Sequence, residues 1–70
     1  MAKKSVAKII ELVGSSEKSW ADAADNAVKV ASKTVKNITG VQVQHMTAQV
    51  SGGKITAFKT TVKVAFGIEK

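Results

Sequence analysis

Residues 19–40, SWADAADNAVKVASKTVKNITG, carry the pattern from which the fold is read. Trp20, Ala23, Ala24, Ala27, Val28, Ala31, Val35 and Ile38 recur at steps of mostly three or four residues, so they line one face of a helix. Lys29, Lys33 and Lys36 fall on the far side. Ser19 is placed to cap the first turn, with Asp22 three residues on as its capping-box partner. Asp22 and Asp25 near the start, and Lys33 and Lys36 near the end, suit the helix dipole. Gly40 stands just past the last turn, where the left-handed conformation that closes a helix costs glycine least. The reading is one long helix ending at Gly40, about 20 residues and roughly 30 Å in length.

Strand patterns flank it. Ser5 to Val13 is rich in β-branched residues and apolar on both faces: Val6, Ile10 and Leu12 on one, Ala7, Ile9 and Val13 on the other. One helix can cover only one of those faces. Gly14 to Lys18 reads as the turn into the helix. Val41 to Val50 reads as a second strand with a change of phase: Val41 and Val43 share one face, Met46, Ala48 and Val50 the other. That predicts a bulge, or a handover from one packing partner to another, near Gln44 and His45. Ser51 to Lys54 is a hairpin turn around Gly52 and Gly53. Ile55 to Ile68 is a third strand. Phe58, Val62, Val64, Phe66 and Ile68 lie on one face, and Lys59, Thr61 and Lys63 on the other. The expected fold class is α+β: a β-α-β-β subunit whose three-stranded antiparallel sheet, in the order 2-3-1, packs on one long helix.

The chain of 70 residues is read as a single domain, 1–70. A core this small supplies only about 3–5 kcal/mol, and such domains rely on disulfides, metals or self-association. There is no cysteine, and one histidine with five acids leaves few ligands for a metal, so no metal site is expected and self-association is. No apolar run reaches the length of a membrane span and no signal peptide is read, so no membrane partner is expected. The composition fits the cytoplasm.

The formal charge of +6 raises the question of polyanions. All eleven basic residues are lysines and they are dispersed, so bidentate reading of bases is absent. The expectation is a solvated basic surface without specific nucleic-acid recognition, with weak nonspecific polyanion binding as the alternative. Catalysis finds no support. The serines sit in turns and at helix ends with no triad spacing, and His45 is the sole histidine. Gly52 and Gly53 precede a strand, not a helix, and so are not a phosphate loop. Glu11 and Glu69 read as surface carboxylates facing lysines, and Trp20 as a packing anchor. His45 reads as an ordinary strand residue, with a functional role open because of its place at the phase change.

Four stretches in this order and spacing resemble the dodecin family: VAKIIELVGSS, SWADAADNAVKVASKTVKNI, the Gly52-Gly53-Lys54-Ile55 hairpin, and Phe58 to Phe66. The resemblance covers nearly the whole chain. It implies a β-α-β-β subunit assembled as a homododecamer, a hollow shell that binds flavins such as riboflavin and FMN for storage and photoprotection without turnover. In that family a tryptophan stacks on the flavin just before the second strand, and here its position is Gly40. The family's flavin-binding glutamine falls at Lys59, which can donate but not accept. The resemblance thus implies a pocket around Gly40, Val41, Gln42, Gln44, His45 and Lys59. It is expected to bind flavin weakly or not at all, or to take another planar or phosphorylated molecule. The alternative is a structural shell that has lost the flavin.

Overall fold

The long central strand is the last element among the described residues. The computed structural model describes residues 6–68, in the order β1 (Val6–Ser16), α1 (Trp20–Ala31), β2 (Ile38–Ser51) and β3 (Lys54–Ile68). The sheet runs β1-β3-β2 with both pairings antiparallel, which is the expected order. β1 pairs with β3 from Val6 opposite Ile68 to Ser16 opposite Phe58. β2 and β3 form the hairpin, turned by Gly52 and Gly53 at φ 60° and 79°. Two consecutive positive φ angles are what a tight two-residue hairpin turn requires.

Ser19 caps α1 as expected: its backbone is extended and its hydroxyl accepts from the Asp22 amide at 3.0 Å. The second half of the capping box is absent. The Asp22 carboxylate instead accepts from the Ser16 hydroxyl at 2.6 Å, tying the helix start to the end of β1. β1 also outruns the expectation: it continues through Gly14 and Ser15 to Ser16 rather than turning at Gly14. Its expected first residue, Ser5, and the carboxylate Glu69 lie outside the described residues.

The far end of the helix is the main correction. α1 is 12 residues long, not about 20, and stops at Ala31. Ser32 closes the last turn, its amide donating to Val28 O at 2.9 Å and its hydroxyl to Lys29 O at 2.8 Å; beyond it the bonds tighten, Lys33 N to Val30 O at 3.2 Å and Thr34 N to Ala31 O at 3.1 Å. Asn37, at φ 64°, takes the left-handed conformation on the way out, and its carbonyl accepts from the Gly67 amide at 3.0 Å. Gly40 is therefore no helix terminator. It lies within β2, opposite Ala65. Lys33 and Lys36 lie past the helix, and Ile38 reaches the core from β2 instead of from a helical face.

The core sits between α1 and the middle of β3. Ala23, Ala27, Ala31, Val62 and Val64 are buried, with Ile10, Leu12, Ala24, Val28 and Ile38 packed around them. The alanine stripe lets the helix approach closely, and Gly14 completes the fit. A Cβ placed on Gly14 would lie 1.9 Å from Ala23 O and 3.0 Å from Ala27 Cβ. Ile9 and Val13, on the other face of β1, remain exposed, as the two-faced strand pattern implied.

The bulge expected near Gln44 is present: the register of β2 slips between Val43 and His45, and again at Ile38/Gly40 and Gln49/Val50. Its effect is to undo the phase change. Val41 and Val43 stand opposite Val64 and Val62, while Met46 and Ala48 stand opposite Thr60 and Phe58, so all four point to the helix side. The helix is too short to cover them. Val41, Val43, Met46 and Val50 form an apolar stripe along β2 that is largely open, with Met46 60% exposed.

Candidate ligand-binding site

The face of the sheet turned away from α1 is built from ladder rows. Directly opposite residues share a face, so the register sets the neighbours. Ile9, Ala65 and Gly40 form one row. Glu11, Lys63 and Gln42 form the next. Then come Val13, Thr61 and His45, and finally Ser15, Lys59 and Thr47. Four of the six expected site residues, Gly40, Gln42, His45 and Lys59, therefore stand on this outer face. Val41 does not: it is opposite Val64 and points to the helix side. Gln44 is the extra residue at the bulge, without a ladder partner, and is half-buried.

The six are not gathered into one pocket of one chain. Gly40 is level with Ala65 and Thr47 with Lys59, so Gly40 and Lys59 are separated by six residues of β3. At the rise of a strand that is about 20 Å. The side chains brought against the expected ones are Lys63, beside Gln42, and Thr61, beside His45. The alternation of β3 had already set Lys59, Thr61 and Lys63 on one face. Matching them to β2 required the position of the bulge.

The β2 end of the row at Gly40 is poor in side chains, with the exposed Ile9 at the β1 end. The neighbours of Gly40 are Ala65 and, one row on, Gly67, and a Cβ placed on Gly40 or Gly67 meets nothing within 4 Å. Gly40 is also outside the positive-φ glycines, so a larger residue fits its backbone. The Lys63 row is polar: Glu11 faces Lys63 across the ladder, though the ion pair among the described residues is Lys29 with Asp25, at 3.2 Å on the exposed side of α1.

A groove of about 280 Å³ lies elsewhere, between β1 and α1, lined by Leu12, Val13, Gly14, Ser15, Asn26, Ala27 and Val30. It contains none of the six residues. Asn26 donates to Ser15 O at 2.9 Å across it. Among the described residues no three acidic, histidine or cysteine side chains cluster as a metal site would need, and no helix is long and apolar enough to cross a membrane.

Trp20 is the packing anchor the sequence implied. Its ring meets Phe58 edge-on at 4.8 Å and 75°, and its indole N–H donates to Thr47 O at 2.7 Å. Its own carbonyl accepts from the Thr60 hydroxyl at 2.8 Å.

Comparison with known proteins bears on this fold. A family model described as Dodecin matches residues 6–69. Among solved structures, a dodecin from Streptomyces coelicolor is 25% identical, with a TM-score of 0.93 over 99% of each chain. A dodecin from Streptomyces davaonensis is 25% identical, with a TM-score of 0.92 over 97% of this chain and 100% of that one. A calcium-chelating antigen of Mycobacterium tuberculosis, described as a calcium dodecin with a novel calcium-binding site, is 32% identical, with a TM-score of 0.79 over 91% of each chain. No curated protein matches the chain.

Proposed function

The chain belongs to the dodecin family, and from that premise we propose that it is a small-molecule binding and storage protein assembled as a hollow shell of twelve copies. Dodecins are non-enzymatic, flavin-binding and homo-oligomeric, and this chain is not an enzyme. Its 70 residues act as one domain. The family ligand is FMN or riboflavin, and the site is the outer face carrying Gly40, Gln42, His45 and Lys59, with Val41 and Gln44 shaping the strand that holds them.

One observation carries this reading. The outer face offers an apolar row, open at Gly40, with Ala65 and Ile9 beside it, and polar side chains beyond, the division of labour a planar ring with a polar edge calls for. Because Gly40 and Lys59 are about 20 Å apart, a ligand touching both sits where two copies meet. The uncovered stripe along β2 supports the assembly, since it needs a partner that α1 does not supply. Without a ring at Gly40 the ligand forgoes stacking of about 0.5–1.5 kcal/mol beyond burial. Flavin is therefore held weakly, and Lys59 favours a phosphorylated or carbonyl-bearing ligand.

The test is a titration of the assembled protein with FMN, followed by flavin fluorescence. Quenching at saturable, micromolar or weaker affinity supports the reading. No quenching and no binding leaves the second reading, a structural shell without flavin, which the bare Gly40 position favours. A steep loss of DNA retention with salt would mark weak polyanion binding.

A further inference from the structure

We infer that Trp20 is a positioning residue for Lys59, gripping from the helix side the strand segment that presents the lysine on the outer face. The inference rests on the reading that Lys59 belongs to the ligand site. Trp20 touches three of the four residues around that lysine; the fourth, Ser15, stands opposite it on β1. Its ring edge meets Phe58, the residue before Lys59, at 4.8 Å. Its carbonyl accepts at 2.8 Å from the hydroxyl of Thr60, the residue after, which is 1% exposed. Its indole N–H donates at 2.7 Å to the carbonyl of Thr47, which stands opposite Lys59 in the ladder. Phe58 and Thr60 point to the helix side, so Lys59 between them points to the other. One residue thus holds three of the neighbours of Lys59: Phe58 and Thr47 through its side chain, and Thr60 through its backbone carbonyl.

The setting gives the grip a purpose. β2 slips register between Val43 and His45 and again between Gln49 and Val50, and Thr47 lies between the two slips. Bulges bend a strand and interrupt its ladder. α1 otherwise barely meets β2. The bond from Trp20 to Thr47 ties the segment between the bulges to the helix start, which Ser19 and the Ser16–Asp22 bond already fix. Tryptophan suits the task because it joins an apolar ring body to a single donor.

The test replaces Trp20→Phe in the assembled protein. Phenylalanine keeps an aromatic edge for Phe58 and the backbone carbonyl for Thr60, and removes the donor to Thr47. Amide hydrogen exchange is expected to quicken at residues 47 and 58–60 and to stay unchanged at Val62 and Val64. The FMN dissociation constant is expected to rise roughly two- to tenfold, the worth of one net hydrogen bond. The same change in a Lys59→Ala background should leave FMN binding unaltered, because the effect passes through the lysine. Unchanged exchange at Lys59 overturns the proposal. So does an equal loss of affinity in both backgrounds. If Lys59→Ala alone leaves FMN binding intact, the assignment of Lys59 to the site fails instead, and the exchange at Lys59 still decides whether Trp20 fixes the segment.

Discussion

Two glycines of this chain do opposite things. Gly14 is where helix and sheet come closest: a methyl group there would drive into the Ala23 carbonyl at 1.9 Å. The obstacle is backbone, which cannot swing aside as a side chain can. We predict that Gly14→Ala lifts α1 off β1 and destabilises the subunit by about 1–3 kcal/mol, read by chemical denaturation. Gly40 has open space around it and an ordinary strand backbone. We predict that Gly40→Trp leaves stability within about 0.5 kcal/mol and tightens FMN binding, seen as stronger quenching at lower concentration. Unchanged affinity in that variant would mean that the surroundings of the position no longer accept a flavin. Nothing in the sequence near either residue separated these roles. Gly14 stood beside serines and read as a turn, yet its constraint comes from Ala23 and Ala27, which fold back over it. Gly40 followed a helical pattern and read as its end, yet its backbone is set by pairing with β3.

The elements were legible where a signal was local. The hairpin at Gly52 and Gly53, the alternation of β3, the Ser19 cap and the slip near Gln44 all follow from residues a few positions apart, and each is present. The end of α1 was not legible, because apolar spacing continues through Val35 and Ile38. Ile38 keeps its place in the core but reaches it as a strand residue opposite Phe66. Thr34 and Val35 are β-branched and poor helix formers; their amides both reach back to Ala31 O, at 3.1 and 2.9 Å, and the chain pairs with β3 from Ile38 onward. The Ser19 cap gives an element-level prediction. Ser19→Ala removes the acceptor for the Asp22 amide and should cost about 1 kcal/mol, measured as a lowered denaturation midpoint with an unchanged slope. The expected site residues come from the family resemblance, five from β2 and Lys59 from β3, and their spacing in the sequence does not say which of them are neighbours. Whether Lys59 neighbours Gly40 depends on register, and the register places Lys59 beside Thr47.

The molecule as a whole is drawn out, 57 × 20 × 14 Å, with a radius of gyration of 14.7 Å against about 11 Å for a compact chain of this length. Its β2–β3 hairpin runs past the helix and leaves Val50 and Ile55 exposed at the tip. We predict that light scattering at low micromolar concentration returns a mass near twelve times 7.3 kDa. A charge placed on the open stripe, Met46→Glu or Val43→Asp, should yield smaller species, seen as a later elution and a lower scattering mass. The strand order carries a further consequence for how the chain is made. β3 is the centre of the sheet and is made after α1 and β2, and β1 has no ladder partner until it appears. Until then the Val6–Ser16 segment is an unpaired edge with apolar side chains on both faces. Sheet formation therefore waits for β3 and depends on contacts between distant parts of the chain, which slows it relative to a helical protein of equal size. A nascent chain of this topology is a natural client for whatever shields exposed strands at the tunnel exit.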